Sequence, residues 1–78
     1  MTDADKDAAG RYRANLQGEV DGASLYRSLA AAESDPHLSE VYHRLAAVKE
    51  AHAEFWRKLL LATRPIELRL IARRRRTP

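Results

Sequence analysis

A mostly apolar stripe runs through the first half of the chain at alternating intervals of four and three residues: Tyr12, Leu16, Glu19, Ala23, Tyr26, Ala30 and Glu33. That interval pattern is one face of a long α-helix of heptad character. Val20, Leu25 and Leu29 widen the stripe to the broad apolar face of a bundle helix. Asp3, Asp5 and Asp7 suit the positive end of a helix dipole, and Thr2 or Asp3 serves as the cap. Ser34-Asp35-Pro36 then punctuates the chain, with Asp35 as N-cap and Pro36 at the first helical position, where its missing N–H does no harm. A second stripe follows at the same spacing: Leu38, Tyr42, Leu45, Lys49, His52, Trp56 and Leu59, flanked by Val41, Val48 and Phe55. Glu40–Arg44 and Glu54–Lys58 are spaced as solvated i,i+4 pairs. Thr63-Arg64-Pro65 is expected to end the second helix, leaving residues 66–72 as a short amphipathic helix or extended chain. The basic segment at the C-terminal end is expected to be partly disordered when alone.

Two long helices joined by so short a turn lie antiparallel. The predicted class is all-α: an antiparallel hairpin over residues 1–62 and a basic connector over 63–78. A lone hairpin leaves much of two wide stripes in water. The expected assembly is therefore a homodimer, or a higher oligomer, forming a four-helix bundle through the helical seam. Tyr12, Tyr26, Tyr42, Phe55 and Trp56 read as core and interface residues. Gly18 and Gly22 flank Glu19, either to admit a neighbouring helix or a bulky group, or as tolerated surface glycines.

Composition narrows the chemistry. The 78 residues contain no cysteine, which excludes disulfides and thiolate metal sites. No apolar run reaches the length of a membrane span, and the N-terminus is too acidic and polar for a signal peptide. These features fit a cytoplasmic chain. The net charge of +3 conceals an asymmetry: residues 1–56 hold six Lys/Arg against ten Asp/Glu, and residues 57–78 hold eight against one. The basic character belongs to the tail, above all Arg73, Arg74, Arg75 and Arg76. Such a run suits anionic headgroups at a membrane surface, or is merely a solvated tail. No aromatic residues interleave with it, so no nucleic acid is expected. Hydrolase and nucleotide-binding motifs are absent.

The candidate chemistry lies on the seam. With the turn centred near residues 35 and 36, Glu19 falls opposite His52. A carboxylate and an imidazole meeting in a bundle core, doubled by a two-fold axis, suit iron, manganese or zinc. Glu50 lies beside the seam as a reserve ligand. Glu33 is about 21 Å along the helix from Glu19 and is reserved for a cap or a rim salt bridge. Lys49, one turn before His52, brings positive charge where a cation would sit. Either a metal binds despite it, or Lys49 and His52 neutralise Glu19 in a salt-bridged cluster that fixes helix register.

The stretch Gly18-Glu19-Val-Asp-Gly-Ala-Ser-Leu-Tyr26, with Ala47-Val-Lys-Glu-Ala-His52-Ala-Glu-Phe-Trp56 downstream, resembles the ferritin-like superfamily of the rubrerythrin type. It is most similar to the N-terminal ferritin-like domain of bacterial vacuolar-iron-transporter-type proteins, where such a hairpin precedes a membrane iron/manganese transporter. Residues 65–74 resemble that family's basic connector. The resemblance implies Glu19 as the helix-1 metal ligand, His52 as the helix-2 ligand and iron as the metal, in a di-iron centre with manganese or zinc as substitutes. It also implies an iron-delivering role, or ferroxidase-like chemistry if the two-metal site works. The family's glutamate three residues before the histidine is Lys49 here, so one carboxylate per chain is missing. The alternative is a degenerate, non-catalytic dimerisation module. No catalytic residue is indicated. The expected location is the cytoplasm, at the inner face of a membrane if the arginine tail docks there.

Overall fold

The computed structural model describes the backbone of residues 3–76, with side chains described over residues 7–63. Helix α1 (Asp3–Ala32) and helix α2 (Pro36–Arg76) form an antiparallel hairpin. The expected cap at Thr2 lies outside the described residues.

The turn is built as its residues dictate. The Asp35 Oδ1 accepts from the His37 N–H at 2.9 Å, and the Asp35 carbonyl accepts from Ser39 N at 2.9 Å, starting α2. Glu33 folds back to accept from the Asp35 N–H at 3.1 Å, the local role expected of it. The Ser39 hydroxyl donates to the Ala30 carbonyl at 2.8 Å and ties the two helices together beside the turn.

Helix α2 does not end at Thr63-Arg64-Pro65, as the proline suggests. Its backbone stays helical through Pro65 to Arg76. An interior proline removes the bond to the carbonyl four residues back and costs about 3 kcal/mol. Here the Thr63 hydroxyl donates to the Leu60 carbonyl at 2.8 Å, next to the Leu61 carbonyl that Pro65 leaves without its donor. The residues beyond are good helix formers, and the four arginines suit the negative end of the helix dipole. No described helix is long and apolar enough to cross a membrane.

Three rungs set the register: Tyr12 with Trp56, Glu19 with Lys49, and Tyr26 with Tyr42. They step seven residues up one helix and seven down the other. Continued at this pitch, α1 runs out near Pro65, and the last turns of α2 extend past it. That overhang accounts for a long dimension of 63 Å against widths of 17 and 16 Å.

The seam of α1 is the one expected. The seam of α2 is shifted by one residue at alternate positions. Ser39, Ala46 and Ala53 face α1, where the spacing had put Leu38, Leu45 and His52. The buried residues among the described ones are five alanines: Ala9, Ala23, Ala30, Ala46 and Ala53. Small residues let the two helices approach closely, and the leucines are displaced to the flank. Residues one place before each seam position on both helices lie on one side of an antiparallel hairpin; residues one place after lie on the other. The first side carries Leu25 and Leu29 of α1 with Leu38, Val41, Leu45, Val48 and Phe55 of α2, all exposed. The second side carries the Arg27–Glu50 ion pair and a shallow groove of about 350 Å³ lined by Val20, Arg27, Glu50, Glu54 and Arg57.

Candidate metal centre

Glu19 stands on the middle rung, at the centre of the paired length. Its carboxylate is the most enclosed ionic group of its cluster, with 19% of the side chain exposed. Two cationic or potentially cationic groups reach the same oxygen. Lys49 Nζ is 3.5 Å from Glu19 Oε2, and His52 Nδ1 is 3.4 Å from it. Neither contact has hydrogen-bond geometry, so Oε2 is buried without a hydrogen-bond partner. An orphaned buried carboxylate oxygen costs free energy and invites a ligand.

The pairing of Glu19 with His52 expected from the hairpin register is therefore present, with a difference. His52 does not sit in the seam. It lies on the apolar side with its side chain 55% exposed, and only its Nδ1 edge turns in toward Glu19. Lys49 holds the seam position, and its aliphatic stem packs against Gly22. A Cβ on Gly22 would stand 3.2 Å from Lys49 Cδ, so this glycine serves the close approach of the lysine. Gly18 has open space around it.

Glu50 does not join the cluster. It lies one place after the seam, on the opposite side of the hairpin from His52, and pairs with Arg27. The expected outer-face pair of Glu40 with Arg44 forms at 3.2 Å, whereas Glu54 pairs with Arg57 at 3.5 Å. Among the described residues, no three His, Asp or Glu side chains gather as a metal-holding group. One chain thus offers a two-donor half-site.

That half-site fits a divalent transition metal in its donors. The carboxylate–imidazole set suits iron, manganese and zinc. Lys49 is the element that opposes it, since its ammonium contends for the same oxygen. Sequence reasoning put Glu19 and Lys49 on their seams but set His52, not Lys49, directly opposite Glu19; the rungs lie about three residues from that register. It missed the role of the alanines, whose heptad recurrence at 23 and 30 and at 46 and 53 was the available signal. The side chains of Arg73, Arg74, Arg75 and Arg76 lie outside the described side chains. No family model matches the sequence, and neither a curated protein nor a solved structure matches it.

Proposed function

We propose that the chain is a ferritin-like hairpin that binds a divalent transition metal, iron first, through Glu19 and His52. The observation that carries this reading is the buried Glu19 Oε2, without a hydrogen bond and facing His52 Nδ1 at 3.4 Å. Iron supplies redox chemistry toward oxygen or peroxide when bound. Glu19 provides the anionic donor and His52 the neutral one, while the flanking rungs hold both helices in register. Lys49 stands where a bridging carboxylate would be needed to hold two metals together. Transient holding and hand-over of ferrous iron, as by a domain that feeds a membrane transporter, is accordingly better supported than oxidation at a two-metal centre. The basic end of α2 fits a role beside an anionic membrane surface.

Lys49 favours a second reading. Its Nζ lies 3.5 Å from the same carboxylate oxygen and can replace the metal outright. The hairpin would then be a degenerate, non-catalytic dimerisation module.

Anaerobic titration with ferrous iron, with metal per chain counted after desalting, separates the two. The first reading expects binding that His52→Ala and Glu19→Ala abolish, and that Lys49→Glu tightens by about tenfold or more. Parent binding no greater than that of His52→Ala overturns it. Metal affinity gained only on Lys49→Glu establishes the second.

A further inference from the structure

The apolar side of the hairpin contributes only His52 to the metal half-site. Its seven large side chains, from Leu25 at 58% exposed to Leu29 and Leu45 at 37%, lie together while the core proper is alanine. They leave roughly 500–600 Å² of apolar surface in water, the top of the range for a monomer. A small chain with so thin a core needs further burial to be stable.

We infer that this side is the interface between two copies of the chain, arranged about a two-fold axis parallel to the helices. In this arrangement α1 of each copy lies on α2 of the other. The inference does not depend on metal binding.

Area, shape and charge each support it. Two such faces in contact remove upward of about 1,000 Å², the size at which specific interfaces become stable. The face is also divided in relief. Its α1 half is low at Gly18, which has open space around it, and its α2 half is high at Val48 and His52. By the register of the rungs, these two zones lie at similar heights. A two-fold axis along the helices sets each high half into the partner's low half. An axis across them would set high on high and hollow on hollow.

The outer edges agree. That of α1 carries Asp7 and Asp21 against Arg11, and that of α2 carries Lys58 and an Arg44 that also pairs with Glu40. Only the lengthwise axis brings the acidic edge of one copy beside the basic edge of the other. Exposed charges add little affinity but bias orientation. Among the described residues, the large apolar side chains exposed on the opposite side, beside its Arg27–Glu50 pair, are Val20 and Leu61 alone.

Sedimentation of the full chain tests the interface. The expected result is a dimer mass at micromolar concentration and a melting temperature that rises with concentration. Leu45→Glu should raise the dimer dissociation constant about 100-fold or more, while Val20→Glu, on the other side, leaves it unchanged. Because Leu45→Glu could unfold the chain, the concentration dependence of the parent stands as the independent readout. A monomer mass at every concentration with a constant melting temperature overturns the proposal. So does dissociation by Val20→Glu but not by Leu45→Glu, or capture of a monomer by anionic vesicles through Leu45 and Val48.

The sequence has no cysteine, so orientation is read by introducing them. A thiol cross-linker of about 10 Å reach, the usual spacing of packed helices, should join Asp21→Cys to Arg44→Cys chains in a mixture. Self-linking of Arg44→Cys in preference to the mixed product overturns the lengthwise axis.

Discussion

The three rungs of the hairpin occupy equivalent positions seven residues apart and differ in chemistry. At the outer two, aromatic rings meet: Tyr12 and Trp56 at 5.7 Å between centroids, and Tyr26 and Tyr42 at 6.3 Å. At the middle one, a carboxylate meets an ammonium across 3.5 Å with an imidazole alongside. A chain seeking only stability would place a third ring or a leucine pair there. Dispersion and apolar burial hold the outer rungs regardless of partner geometry. The middle rung loses solvation and regains it only partly, since one Glu19 oxygen remains unsatisfied. The difference is one of cost: the ends fasten the helices, and the centre is polar at some expense in stability.

The largest expected effect comes from breaking an outer rung. Trp56→Ala removes a half-buried ring that also meets Phe55 at 5.0 Å, and should lower unfolding free energy by about 2 kcal/mol in a urea titration. Ferrous binding, measured under conditions where the variant stays folded, should change little. Loss of binding with stability unaltered would reverse the assignment of roles.

Converting the middle rung to the outer kind comes next. Glu19→Leu with Lys49→Leu should be neutral or stabilising by about 1 kcal/mol, since a paired charge is exchanged for packing. Lys49→Leu alone should destabilise, because Glu19 then keeps only His52. A double variant markedly less stable than the parent would show the polar rung to be a net fastener.

The smallest effect probes the lysine stem. Gly22→Ala gains helix propensity of up to about 1 kcal/mol, offset by the 3.2 Å approach of Lys49 Cδ. A net stabilisation of a few tenths of a kcal/mol, read as a small rise in melting temperature at fixed protein concentration, is expected. A loss above about 1 kcal/mol would mean that the stem cannot yield and that the lysine is more firmly placed than its partly exposed position implies.

The hairpin itself was legible because its signals are local. Asp35 and Pro36 start a helix by their own chemistry, and a heptad stripe in α1 has one reading. In α2 two stripes run side by side, one residue apart. Ranking by hydrophobicity selects Leu38 and Leu45, while close helix approach selects Ser39, Ala46 and Ala53. Which stripe wins depends on the distance between helices, a property of the pair and not of either sequence segment. That one-residue shift moved His52 from the seam to its edge and left Glu50 on the far side. Pro65 misled for a related reason: its penalty is local and fixed, and the helix-forming residues beyond it were left undecided by their pattern.

The continuous passage of α2 through Pro65 has a geometric consequence. Because residues 73–76 are reached by helix and not by slack chain, their distance from the paired rungs is tied to residue count. One residue inserted between 66 and 72 would carry that basic segment about 1.5 Å further along the axis. The stretch after Pro65 thereby acts as a ruler, and its length sets how far the positive charge stands from the centre of the hairpin.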